Sequence, residues 1–382
     1  MAKVDPAVEE AVDTLGLNPI TRRRLLTGAG LTSATLAASA LLAACGSNDN
    51  KSSSGSAAAA GAGDFPSTPQ YKFVFVCHVT TNSFFTPTQY GAQDACALLN
   101  TEFQWTGSKD AVVAEMVNAT NTAISAKADG IALAVVDKAA FKAPVDQALD
   151  AGIPVVSYNA DGAKGDPGTN RLAYIGQGLY ESGLALGQRA LDAGLASGDV
   201  VGFIATPGAL NIQPRIDGAS DAIKQSGKPI KFTPVGTNAD VVKGASIIDA
   251  YAQGHPNLTG MLAVDAGSTE ALGKTVAKYK LRDKSLKVAG GFDLNPGTLT
   301  AVKAGNLDYT IDQQPYLQGF LPVLYLYLYK LSGGLIAPPE TNTGLLFVTK
   351  ENVDPYLQTK TRFEGSSTQQ QVVQRSGAIA HA

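Results

Sequence analysis

Amide, carboxylate and guanidinium side chains recur at one kind of place in this chain, just after a stretch that reads as a buried strand. Asn82, Phe84 and Phe85 follow the run Tyr71–Val79, and Ser108 follows Glu102–Thr106. Asn159 and Asp161 follow Ile153–Tyr158. The loop 206–214, with Asn211, follows Asp199–Ala205 and leads into a helix that carries Arg215. Asp265, Asp293 and Gln313 end the runs Gly260–Val264, Lys287–Phe292 and Tyr309–Asp312. Planar polar groups of these types pair with vicinal hydroxyls, and an aromatic face covers the C–H face of a sugar ring. The set therefore fits a neutral polyhydroxyl ligand. Each position also has a plainer explanation. Residues 82–85 could start a helix with a hydrophobic staple, although at most one of two adjacent Phe can enter a helix–sheet core. Asn159 and Asp161 could serve turn chemistry, and Asp265 and Asp293 could be helix caps. Arg215 could be a surface or interdomain ion pair. A cation near a helix start opposes the macrodipole, which points to a specific partner.

The same inventory argues against catalysis. Only His78, His255 and His381 are present, at no spacing that suggests a triad or a metal site. No strand leads into a Gly-x-Gly-x-x-Gly or Walker loop, and no Gly-x-Ser-x-Gly elbow occurs. No catalytic residue, metal or cofactor is expected, and His78 reads as a structural histidine at a strand end. The net charge of −3 offers no basic field for nucleic acid.

The elements that must position these loops alternate with regularity. Strand-like runs of β-branched and aromatic residues are followed by segments with helical spacing, from Phe85–Leu99 through to Tyr316–Lys330. Such alternation predicts an α/β fold of parallel sheets with helices on both faces. Roughly ten strands fit two doubly wound lobes better than one very wide sheet. Ligands of open α/β sheets bind beyond the carboxyl ends of the strands, so the loops above face a cleft between lobes.

The first 70 residues read differently. Arg22-Arg23-Arg24 precedes an apolar stretch from Leu25 to Ala44, and Leu41-Leu42-Ala43-Ala44-Cys45 ends it. Charge, apolar segment and small-residue junction together read as an export signal, and the junction resembles a bacterial lipobox, whose cysteine is lipidated after cleavage. The stretch could instead be a retained transmembrane anchor, but its Ala, Gly, Ser and Thr content would make a marginal span. The arginines also resemble a twin-arginine export motif, and Sec and Tat routes are not separated. Residues 46–69 are mostly Ser, Ala, Gly and Asn, too polar to offset chain entropy by burial, and read as a flexible linker. Cys77 and Cys96 could pair in an oxidising compartment; two small buried thiols are the favoured reading.

Residues 71–348 resemble the type I periplasmic solute-binding proteins, the sugar-binding components of ABC importers, especially the ribose- and galactose-binding group. The signatures are Asn82-Ser83-Phe84-Phe85, Ala151-Gly152-Ile153-Pro154-Val155-Val156, and Tyr174-Ile175-Gly176 with Gly183 and Gly187. Arg215 with Gly218, Gly290-Gly291-Phe292-Asp293 and Thr310-Ile311-Asp312-Gln313-Gln314-Pro315 extend the likeness. The resemblance implies polar ligand contacts from Asn82, Asn159, Arg215, Asp265, Asp293 and Gln313, with Phe84 and Phe85 stacking. It implies crossings between lobes near Gly176, Gln313 and Leu345, hinge closure, and docking of the closed form on a membrane permease.

The expected layout is a signal over 1–44, lipidated Cys45 and linker over 45–70, one lobe from 71–176 with 314–345, the other from 177–313 with 346–364, and a disordered tail over 365–382. The protein is expected to be an extracytoplasmic, lipid-anchored monomer that binds a monosaccharide or polyol. Many ribose binders carry Asp-Arg where this chain has Asn159-Ala160, which leaves the identity of the sugar open. Two alternatives remain beside an importer component. A sensory receptor role is compatible with the same features, as is a nucleoside or signalling-furanose ligand. A transcription regulator would need a helix-turn-helix ahead of residue 71, where the signal and linker stand instead.

Overall fold

The computed structural model describes residues 68–162, 170–335, 337–358 and 362–364. The expected signal, Cys45, the linker up to residue 67 and the tail from 365 lie outside the described residues. Among the described residues no helix is long and apolar enough to cross a membrane.

Two six-stranded sheets organise the fold. The first is built from β1 (Lys72–Cys77), β2 (Glu102–Gly107), β3 (Gly130–Leu133), β4 (Val155–Tyr158) and β5 (Tyr174–Gly176), joined late in the chain by β11 (Glu340–Asn342). Its order is β11-β5-β4-β3-β1-β2, all parallel. The second contains β6 (Gly198–Ile204), β7 (Ile230–Gly236), β8 (Gly260–Ala263), β9 (Val288–Phe292), β10 (Tyr309–Asp312) and β12 (Leu346–Thr349). Its order is β12-β10-β9-β8-β6-β7, parallel except for antiparallel β12 against β10.

Burial explains why these runs are strands. β3, β4, β8, β9 and β10 are buried at every position, as expected for central parallel strands covered on both faces. Edge strands β2 and β7 alternate between exposed and partly buried residues, and Glu102 and Lys231 face water there. The apolar run that begins at Ile131 continues to Val136, whereas sheet pairing stops at Leu133. Residues beyond it stay buried and bond outward, Ala134 N–H to Val76 O and Val135 N–H to Ala160 O. β11 was not expected: Glu340-Thr341-Asn342 is short, polar and follows two prolines, so it carries no hydrophobic pattern.

Helices α1 (Thr86–Leu99), α2 (Val113–Ser125) and α3 (Lys138–Asp150) cover the first sheet together with α9 (Leu317–Ser332). α4 (Leu179–Asp192), α5 (Gln213–Gln225), α6 (Val241–Gly254), α7 (Ala266–Tyr279), α8 (Pro296–Lys303) and α10 (Asp354–Gln358) cover the second. The α4–α5 crossing is unusually close. A Cβ on Gly183 would lie 2.2 Å from the Arg215 carbonyl oxygen, and one on Gly218 2.4 Å from that of Tyr180. Only glycine permits this approach, and it fixes the first turn of α5, where Arg215 sits.

The chain passes between the sheets after β5, after β10 and between β11 and β12. Arg362, assigned on sequence to the second lobe, instead pairs with Asp94 of α1 in the first, at 2.6 Å, and Phe363 packs edge-on to Tyr316. Long-range ion pairing of this kind leaves no trace in local sequence. Cys77 and Cys96 are buried free thiols, and burial pushes the Cys77 thiol up to about 12.

Candidate functional site

The strand-end loops of both sheets converge. Arg215, 3% exposed, anchors the cluster. Its Nη1 donates to the carbonyl of Val264 (3.2 Å), and its Nη2 donates to Oε1 of Gln177 (3.1 Å) and of Gln313 (3.0 Å). Its guanidinium lies 4.2 Å over the Phe292 ring, and Nε is buried without a hydrogen-bond partner. These acceptors, the aromatic face and the nearby carboxylates offset a cation placed at a helix start. Burial pulls the Arg215 pKa down, and Asp293, Tyr174 and Asp265 oppose that pull.

Gln313 also donates through Nε2 to Asp293 Oδ1 at 2.6 Å. Burial lifts the Asp293 carboxyl from 3.8 to about 7, against the pull of Arg215 and of the Gln313 hydrogen bond. Gln318, at the start of α9, donates to the Gln313 side-chain oxygen (3.2 Å) and accepts from Asn159 Nδ2 (3.0 Å). A continuous polar chain thus runs from Asn159 in the first lobe to Arg215 and Asp293 in the second. Asn159 and Asp293 adopt left-handed backbones, φ 62° and 76°. That conformation turns the chain sharply off β4 and β9, and Asn and Asp tolerate it best after Gly.

The other expected residues have different surroundings. Asn82 caps the 3₁₀ turn 83–85 by accepting from Phe84 N–H. Phe84 and Phe85 are both buried, their ring centroids 4.8 Å apart edge to face, so neither stands out of the core to stack on a ligand in this conformation. Ser108 is fully buried and occupied, donating to Glu115 and accepting from the Asp110 and Val112 amides; it fastens the loop into α2. Asp161 pairs with Arg171 and accepts from Ser157 Oγ and the Gly162 amide. Asp265 accepts from the amides of Ser268 and Ala205, capping α7 and tying it to β6; burial raises its pKa. Asp161 and Asp265 thus have structural roles of the turn and cap kind, and Ser108 fastens a loop, although the charge of Asp265 still acts on Arg215 and Asp293.

Some participants were not legible. Gln177 follows β5, so the strand-end rule could have found it. Gln318 and Thr343 could not be found that way, because one is on a helix and the other in a crossing. Gln318 and Thr343 hydrogen-bond each other at 3.1 Å, and Thr343 Oγ1 donates to the Gln313 carbonyl. His78 meets Asn211 across the lobes at 3.1 Å and is edge-on to Phe85. Both line a cavity of about 300 Å³ with Asp137, Val136 and Thr206–Ala209. The Leu210 amide donates to the Val136 carbonyl at 3.0 Å, so the lobes are in contact at this point. Among the described residues no group of His, Cys, Asp and Glu is arranged to hold a metal.

Residues 73–333 match the family described as "Periplasmic binding protein domain". The chain is 47% identical over 315 residues to the xylose/arabinose-binding protein XylF of Sulfolobus acidocaldarius, covering 80% of this chain and 77% of that protein. It is 30% identical over 191 residues to a D-ribose/D-allose-binding protein of Pseudomonas aeruginosa, covering 48% of this chain and 58% of that one. A carbohydrate transporter protein of Acidothermus cellulolyticus, solved with myo-inositol, superposes with a TM-score of 0.68 at 26% identity, covering 78% and 100% of the two chains. A solute-binding protein of Burkholderia graminis, solved with D-arabinose, gives 0.68 at 25% identity over 76% and 99%. With two parallel-sheet lobes, a polar chain joining them and a match across most of its length, the protein belongs to the periplasmic binding protein family.

Proposed function

We propose that the protein reversibly binds a monosaccharide, an aldopentose first among candidates, between its lobes and delivers it to an ABC permease. The observation that carries this reading is the buried polar chain Asn159–Gln318–Gln313–Asp293 with Arg215, which joins both lobes. It presents amide, carboxylate and guanidinium groups of the kind that pair with vicinal hydroxyls. The likeness to a xylose/arabinose-binding protein supports a pentose. Asn159, Arg215, Asp293 and Gln313 are the proposed polar contacts, with Asn82 and Asn211 at the margin and Phe84 and Phe85 as the wall behind. The protein acts as a binder without catalysis. It is exported, lipidated on Cys45 and held outside the cytoplasm, as the charge, apolar stretch and small-residue junction before Cys45 support.

A thermal-shift screen tests the ligand class. D-xylose and D-arabinose should raise Tm by several degrees at a hundredfold excess over Kd, about 2.7 kcal/mol of stabilisation. Amino acids and nucleosides should leave Tm unchanged; a shift with those alone would exclude a sugar.

A further inference from the structure

The last described residues do not stay with the lobe they follow. α10 is fastened to the second lobe: Val353 and Tyr356 are buried in its core, and Lys303 of α8 pairs with Asp354 at 2.5 Å. A short way beyond Gln358, Arg362 lies against α1 of the first lobe. Its guanidinium forks onto Asp94, with Nε to Oδ2 at 3.1 Å and Nη2 to Oδ1 at 2.6 Å. Nη2 also donates to Gln93 Oε1 at 2.9 Å, and the guanidinium lies 4.4 Å over the Tyr90 ring. The hydroxyl of Tyr316, just before α9, donates to Asp94 Oδ2 at 2.7 Å, and the Phe363 ring meets that of Tyr316 edge-on at 4.7 Å.

An isolated surface ion pair contributes little. This one is bidentate, stacked on an aromatic ring and shielded, with side-chain exposures of 12% for Arg362 and 25% for Asp94. A planar fork on a carboxylate is the strong, directional form of such a pair. Phe363 adds an apolar contact beside it, so the chain is seated on α1 and Tyr316 at two successive residues. Four peptide steps separate Gln358 from Arg362 and span at most about 14 Å. With one end packed in the second lobe and the other seated on the first, the lobes cannot part further at this place unless Arg362 leaves Asp94. The three crossings are continuous chain passing through the hinge. This fourth tie differs from them, because its seat on the first lobe is non-covalent and can be released.

We propose that residues 354–364 form a strap that limits how far the two lobes open, with the Arg362–Asp94 pair as its releasable fastening. The ligand-free protein then samples a narrower range of lobe separations than its three crossings alone would allow. Less freedom remains to be lost on closure. This inference holds whichever ligand the cleft takes.

Pulsed dipolar EPR on the ligand-free full chain tests it. Spin labels at Lys109→Cys and Lys243→Cys, exposed positions on the first and second lobes, read lobe separation in a Cys45→Ala background. Cys77 and Cys96 are buried and stay unlabelled. Arg362→Ala should broaden the distance distribution and lengthen its mean by several Å. Arg362→Lys, which keeps the charge without the fork, should fall between that variant and wild type. Because Arg362→Ala also removes contacts from α1, a second variant keeps both anchors: six Gly and Ser residues inserted after Gln358 add about 20 Å of reach and should widen the distribution as well. Distributions unchanged in both Arg362→Ala and the insertion variant would overturn the strap. Widening in Arg362→Ala with none on insertion would place the effect in α1 and overturn it too.

Discussion

Asp293 and His78 are both buried titratable groups, and their pKa values move in opposite directions. Asp293 rises from 3.8 to about 7, so the folded protein holds its proton more tightly than the unfolded chain does. Its contribution is fully present below pH 3.8 and is lost as pH climbs through about 7. His78 falls from 6.5 to about 4, so the unfolded chain takes the proton first. Its contribution is present above pH 6.5 and is lost as pH falls through about 4. Between these limits each is worth about 3 kcal/mol, with opposite signs. The contributions of these two groups should therefore nearly cancel in the ligand-free wild type from pH 4 to 6.5. In Asp293→Asn stability should rise across that window, and in His78→Gln it should fall. Urea titrations at stepped pH read this directly; parallel profiles for all three proteins would contradict it. Sequence disclosed which residue types stand after the strands but not which are already occupied. Ser108 and Asp265 show why: the groups that donate to them include backbone amides, which nearly every residue has, so a cap and a ligand contact look alike in sequence.

At the scale of elements, the strands and their long helices were legible because central parallel strands are nearly continuous apolar runs. β11 and α10 were not, since three polar residues and a five-residue turn of helix carry no period. The glycines of α4 and α5 had no visible purpose until the helices were seen to cross. Gly183 brings α4 against the Arg215 carbonyl, so the position of the guanidinium depends on a residue in another helix. Gly183→Ala should force the helices apart, costing about 1–3 kcal/mol in stability. It should also weaken sugar binding without touching the cleft, about tenfold, since a misplacement of 1 Å is enough to spoil a positioned group. Tm and Kd measured together check this. A stable variant with unchanged affinity would show that the crossing does not set Arg215.

The whole molecule couples its crossings to its site. Gln177 Nε2 donates to the Gly344 carbonyl and Gln314 Nε2 to that of Thr343, so the segments joining the lobes are bonded to one another. Gln177 and Gln313 in turn hold Arg215. A hinge motion would therefore alter the cluster proposed to receive the ligand, which is what closure on a sugar requires. Alternation in the sequence implied two lobes, yet the His78–Asn211 contact across them and the Arg362–Asp94 ion pair join residues far apart in the chain and were not legible. We propose that the residues before Cys45 serve export and anchoring and take no part in sugar binding. Cys45→Ala should shift the protein from the membrane to the soluble fraction while sugar affinity stays unchanged; fractionation with immunoblotting and a titration of the released protein check both halves.

The central claim is that a sugar binds between the lobes on the Arg215–Gln313–Asp293 cluster. Calorimetric titration of D-xylose and D-arabinose into wild type and Asp293→Ala tests it most directly. The wild type should give saturable binding to at least one of them, and Asp293→Ala should lose 100-fold or more, about 2.7 kcal/mol, while unfolding cooperatively like the wild type. Binding that survives in Asp293→Ala at wild-type affinity would place the ligand elsewhere and contradict the account.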